Sequence, residues 1–203
     1  MSKVKLKHAS GNSVSIAAPQ SNPASDRTLY VPSNANGTIL TTTSPKAGNI
    51  IQVISTTKTD TFSETINSGN WSAVVTGLTA VITPSSTSNK ILIHYTVNVA
   101  GNFPYLGLDK GGSVITGSIG AAAGSRTRAT MSTYTGYDNT YTACIAGNYL
   151  DSPSSTSALT YGIRIRHSSS STQTGYVNRS KTDTDEHQIS RSASVITVME
   201  VAG

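Results

Sequence analysis

The sequence predicts an all-β protein, with a small N-terminal β segment followed by a C-terminal jelly-roll β-sandwich. Three observations predict it. In Lys90 to Ala100, KILIHYTVNVA, residues Ile91, Ile93, Tyr95, Val97 and Val99 share one face while Lys90, Leu92, His94, Thr96 and Asn98 share the other, the period of two of a half-buried strand. Strand-like runs separated by Gly, Pro, Asn and Ser then recur at short intervals from Asn49 to the C-terminal end, the spacing of a sandwich or jelly roll. No segment sustains the apolar spacing of three and four that an amphipathic helix needs.

Residues 1–45 read as short strands broken by turns: VKLKH, SVSIAAP, TLYVP and TILTT. Their apolar residues, among them Val4, Leu6, Val14, Ile16, Leu29, Val31, Ile39 and Leu40, form only a thin stripe. A ladder of this size does not bury enough to be stable alone, so covering by other chains is expected and the protein is expected to oligomerise. The run TTTSPKAG, Thr41 to Gly48, with Pro45 and Gly48 as punctuation, places the boundary, and residues 46–203 form the second domain.

In that domain the expected strands are NIIQVIST, TDTFSETI, WSAVVTG, LTAVITP, the long KILIHYTVNVA, YLGLDKGG, RATMSTYTGY, TACIAGNYLD, ALTYGIRIRH, TGYVNRS and ISRSASVITVMEV. KILIHYTVNVA reaches roughly 35 Å at ~3.3 Å per residue, enough to cross a sheet as a central strand. The last strand is apolar on both faces, Val195, Met199 and Val201 against Ile196 and Val198, as in a strand buried in a sheet or at a subunit contact. Core positions are expected to include members of the set Leu92, Ile93, Ile163, Ile165, Val195 and Val198. The Ser/Thr-rich joins at 85–88, 152–157 and 168–172 are expected at loop tips.

With 36% hydrophobic and only 12% charged residues, the chain is neither a charged disordered tail nor a membrane protein of helical type, and it has no apolar run of the ~18 residues that cross a bilayer. The N-terminus MSKVKLKHAS lacks a signal core, so synthesis in a cytoplasm is expected. A net charge of +5 is scattered, and its one compact set, Lys3, Lys5 and Lys7, alternates along a strand; no nucleic-acid partner is expected. The lone Cys144 sits in an apolar pattern and is expected to be buried and inert.

No catalytic constellation emerges. Ser55 to Lys58 matches S-x-x-K but lies in a β pattern without the helix that motif requires. The glycines between Gly111 and Gly124 lack phosphate-loop spacing, and Asp183, Asp185, Glu186 and His187 lack the calcium-loop signature, so neither cofactor nor metal is expected. The one recognition feature is TYTGYDNTY: Tyr134, Tyr137 and Tyr141 supply rings for stacking on sugars, Asp138 and Asn139 supply hydrogen bonds, and Arg126 and Arg128 lie nearby in sequence. These seven residues are the candidate ligand-binding set.

The opening LKHASGNSVSIAAPQSNPASDRTLYVPSNANGTILTT resembles a module of tail-fibre and other virion structural proteins of tailed phages, particularly marine and cyanobacterial ones. GLTAVITPSSTSNKILIHYTVNV, NYLDSPSSTSALTYGIRIR and SVITVMEVAG are similar to the trimeric jelly-roll heads of such fibres. The resemblance implies a non-enzymatic homotrimer in the virion: a tail fibre or short fibre whose N-terminal segment binds other virion proteins and whose distal knob meets a host-surface glycan or protein. A capsid fibre or decoration protein fits the same resemblance, and a free carbohydrate-binding module is the alternative from another class.

Overall fold

A computed structural model of the chain describes residues 3–7, 9–17, 45–101, 104–134 and 140–203. Two compact units are present, Met1–Ile39 and Leu40–Gly203. In the first, β1 (Lys3–Lys7) and β2 (Ser13–Ala17) form an antiparallel ladder in which Leu6 faces Val14 and Val4 faces Ile16. Leu6 and Ile16 are diagonal neighbours on one face of this ladder and are 59% and 56% exposed. The expected strands TLYVP and TILTT lie outside the described residues.

The second unit is built of strands β3 (Ile50–Lys58), β4 (Phe62–Ile66), β5 (Thr79–Ile82), β6 (Lys90–Ala100), β7 (Tyr105–Lys110), β8 (Ser113–Val114), β9 (Met131–Ser132), β10 (Ala143–Asp151), β11 (Leu159–Arg166), β12 (Gln173–Val177) and β13 (Ser194–Val201). A single 3-10 turn, Thr116–Ser118, is the only helical element among the described residues. One sheet runs β3-β13-β6 with β10 on the far edge of β6, and the other runs β5-β11-β7-β8, with β9 also pairing β7. Setting β4 and β12 aside and taking β8 and β9 as one strand position, the first sheet has the chain order first, eighth, third, sixth and the second has second, seventh, fourth, fifth. That is the double Greek key of a jelly roll, with all strand pairings antiparallel.

Strand β6 is the central strand its alternation predicts. Ile91, Ile93, Tyr95, Val97 and Val99 point into the core, where they meet Ile145 of β10 and Ile196 and Val198 of β13. The second sheet contributes Ala80, Ile82, Leu106, Leu108, Tyr161, Ile163 and Ile165 to the same cluster. Of the predicted core set, Ile93, Ile163, Ile165 and Val198 are buried, whereas Leu92 and Val195 are half-buried on the outer face. In β13 the inward positions are Ile196, Val198 and Glu200, so the other apolar face of this strand points away from the core.

Two expectations are corrected. WSAVVTG is not a strand: its backbone–backbone bonds to β11 are Ser72 N to Ile165 O at 2.9 Å and Val75 N to Ile163 O at 2.8 Å, with the chain turning at Gly77. Its apolar residues serve as a plug instead, Val75 being fully buried and Trp71 lying so close to β7 that a Cβ on Gly107 would sit 3.0 Å from two ring atoms. Cys144 is exposed, because alternation in β10 sends Ile145 inward and puts Cys144 opposite Asn98 on the outer face.

Beside β6, β12 gives way to β13 along one edge, and a polar node fills the gap. Asn178, fully buried with φ +62, donates its side-chain amide to Lys58 O and Asp60 O at 2.8 and 2.9 Å and its backbone N–H to Asn98 O at 2.9 Å. Ser194 donates its hydroxyl to Asn178 Oδ1 at 2.6 Å and accepts Asn98 N–H at 3.0 Å. Asn tolerates the left-handed conformation better than other non-glycine residues, and here both ends of its side-chain amide have protein partners.

Candidate recognition surfaces

Four of the seven residues of the predicted ligand set, Arg126, Arg128, Tyr134 and Tyr141, are among the described residues. Arg126 donates from Nη1 to Ala123 O at 3.2 Å, and Arg128 from Nε to Gly120 O at 2.6 Å, so both guanidinium groups brace the loop between β8 and β9. Tyr134 and Tyr141 are 58% and 60% exposed, at the two ends of the segment that holds Tyr137, Asp138 and Asn139. Those three lie outside the described residues.

The buried carboxylates, the groups an active site would draw on, are engaged in holding the fold. Asp109, 2% exposed, receives Arg164 Nε at 2.6 Å and Gly112 N–H at 2.9 Å, while Arg164 also donates to Ser72 O and Gly112 O. Asp151 receives Lys110 Nζ at 2.7 Å and the Tyr161 hydroxyl at 2.6 Å. Glu200, fully buried at the end of β13, accepts from Gln52 Nε2 at 2.6 Å, Ser85 N and Oγ at 2.6 and 2.8 Å, and Asn89 Nδ2 at 2.5 Å. Burial works to raise the Glu200 pKa, but the hydrogen bonds from Asn89, Gln52 and Ser85 outweigh it and hold the carboxyl below its usual value. In the 183–187 loop, Asp183 is paired with Arg191 at 2.7 Å and Arg179 at 3.3 Å, and no group of three or more metal-ligating side chains gathers among the described residues.

Sequence reasoning did not locate the outer face of the larger sheet, where register assembles an apolar row. Met199 of β13 lies opposite Val53 of β3 on one side and Leu92 of β6 on the other, and Leu92 lies opposite Leu150 of β10. Ile50 and Val201 continue it one step along. Val53 and Leu150 are 53% and 45% exposed and Ile50 is 54% exposed. The neighbouring rows are neutral or cationic: Ser55, Thr197, His94 and Asn148, then Thr57, Val195, Thr96 and Ala146, with Lys90 beside Val201. The alternation of each strand was legible, but a row across four strands exists only once their registers are known.

No family model and no curated protein matches the chain. Among solved structures, chains of infectious bursal disease virus are similar at a distance. One in the structure of the Gt strain is 14% identical with a TM-score of 0.38, over 95% of this chain and 48% of that one. One in the Gx strain is 12% identical with a TM-score of 0.32, over 87% and 43%, and one in a crystal structure of the VP2 subviral particle is 13% identical with a TM-score of 0.32, over 87% and 42%. This chain thus spans under half the length of the chains it matches, and a likeness this distant carries no functional argument.

Proposed function

We propose that the protein is a non-enzymatic virion structural component of a tailed phage, a homotrimeric tail fibre or short fibre made in the host cytoplasm. The N-terminal segment attaches it to other virion proteins and the jelly roll is the distal knob that meets the host surface. The observation that carries this reading is the apolar row Val53–Met199–Leu92–Leu150 on the outer face of the larger sheet. A contiguous apolar patch spanning four strands marks an interaction surface, and copies around a threefold axis bury the same patch in each subunit. The exposed Leu6 and Ile16 of the β1-β2 ladder offer a second apolar face in the other unit. The use of Asp109, Asp151, Asp183 and Glu200 in structural pairs supports a role without catalysis.

Sedimentation at micromolar concentration in moderate salt, with antibody labelling of particles, tests the reading. A trimer that labels the tail supports it, and a trimer labelling the head shell moves the protein to a capsid fibre or decoration role. A monomer removes the fibre reading in favour of a free carbohydrate-binding module.

A further inference from the structure

We propose that the cleft beside the β4-β12 pair is a subsite for a carboxylate-bearing sugar unit such as a hexuronate, with Lys181 meeting the carboxylate and Tyr176 and the neighbouring threonines meeting the ring hydroxyls. The cleft holds about 150 Å³ and is lined by Thr65, Gly101, Gln173, Thr174, Tyr176 and Lys181 among others. That is room for one sugar ring and too little for the larger apolar ligands that fill deep pockets.

The lining is assembled by strand register. Thr65 of β4 lies opposite Thr174 of β12, with their hydroxyls 3.1 Å apart, and Tyr176 stands two residues along the same face. Gln173 donates its amide to Ser171 Oγ at 3.1 Å, which leaves its carbonyl oxygen to accept. The Tyr176 ring is braced by the Arg179 guanidinium 5.1 Å from its centroid. Arg179 is fixed in turn by Ser180 O at 3.0 Å, Lys181 O at 3.2 Å and the Asp183 carboxylate. At the rim Gly101 has φ +117, and a Cβ there would meet Thr174 O at 3.1 Å, so only glycine lets the main chain close the cleft this tightly.

Two polar groups of this lining have no hydrogen-bond partner among the described residues: the Tyr176 hydroxyl and the ammonium of exposed Lys181. The nearest carboxylate in sequence, Asp183, is already held by Arg179 and Arg191. The cleft therefore offers one uncompensated positive charge, one free phenol, and threonine and glutamine groups that both donate and accept. Vicinal ring hydroxyls, which also donate and accept, match the second set, and a single carboxylate matches the lone ammonium. A phosphate dianion is better met by arginine forks or several cations, which this cleft does not present. All six residues belong to one chain, so the inference does not depend on the trimeric reading.

Calorimetry and saturation-transfer NMR on the full chain, with glucuronate, galacturonate, glucose and inorganic phosphate as probes, test it. The expected result is saturable uronate binding at least ~10-fold tighter than glucose, the scale of one charge-assisted hydrogen bond. Lys181→Met should abolish that preference and Lys181→Arg should retain most of it, while Tyr176→Phe weakens both sugars with the circular dichroism unchanged. Absence of saturable uronate binding overturns the proposal. So does equal affinity for glucose and glucuronate, phosphate binding as tightly as the uronates, or a Lys181→Met variant that binds like the parent.

Discussion

Tyr161, in one sheet of the sandwich, donates its hydroxyl proton across 2.6 Å to Asp151 in the other. Lys110 reaches the same carboxylate oxygen at 2.7 Å, so a fully buried phenol and a partly exposed ammonium both anchor one aspartate. Burial, then the hydrogen bond to and charge of Asp151, push the Tyr161 pKa well above its ordinary value.

Tyr161→Phe is expected to destabilise the fold by ~1–3 kcal/mol, because it strips a donor from a buried carboxylate while keeping the ring. The pH dependence has a definite sign. A phenol with a folded-state pKa raised above the unfolded value contributes stability that is complete below about pH 10 and is lost as pH rises beyond it. Urea melts of the parent should therefore weaken above about pH 10 more steeply than those of Tyr161→Phe; parallel curves would contradict the coupling.

Glu200 gives the opposite slope. Its folded pKa lies below the ordinary value of 4.5, so its contribution is present above that pH and lost as pH falls through the folded pKa. Glu200→Gln turns an acceptor of several donors into a group that itself donates, facing the amides of Asn89 and Gln52. The expected cost is ~2–4 kcal/mol at neutral pH, with a shallower acid limb than the parent in thermal melts at pH 3 to 6.

Ile93→Ala should cost ~2–5 kcal/mol, since the parent side chain is fully buried between the sheets. Gly107→Ala should also destabilise, by ~1–3 kcal/mol, because the added methyl meets the rigid Trp71 ring. Chemical denaturation of the two variants beside Leu92→Ala, expected to lose about 1 kcal/mol or less without assembly, checks the assignment of inner and outer faces.

These assignments show where sequence pattern suffices. The alternation of KILIHYTVNVA fixes its inward face because one strand residue in two must be apolar wherever one face is buried, and the structure agrees at Ile91 through Val99. WSAVVTG reads equally as a strand, and its lack of a continuous backbone ladder, with two isolated backbone–backbone bonds to β11, shows it to be an irregular plug. Leu92 and Val195 are as apolar as their buried neighbours, so composition cannot say which side of the sheet is the core. Glu200 and Asn178 look like surface residues in a sequence. Their burial depends on partners as far away as Gln52 and Lys58, which no local pattern links to them. The Tyr176–Lys181 cleft escaped notice for the same reason, since Thr65 is distant in sequence from both.

The apolar row of the larger sheet yields the prediction on which the assembly reading turns. Val53 and Leu150 stand at its two ends, each about half exposed, so replacing either by Glu adds a charge where the single chain already meets water. Stability of the monomer fold should then change by no more than ~0.5 kcal/mol for each. If three copies bury this face, the same charge becomes costly to desolvate, and the variants should sediment as monomers where the parent sediments as a trimer. Burial holds such a contact, so the parent trimer should persist in high salt, where a contact built on ion pairs weakens. Lys181→Glu, on a surface outside the row, serves as the control for added negative charge and should leave assembly intact. A parent trimer that survives both Val53→Glu and Leu150→Glu would show that this row is not the contact and would shift the assembly to the β1-β2 unit, where Leu6→Glu and Ile16→Glu become the decisive pair.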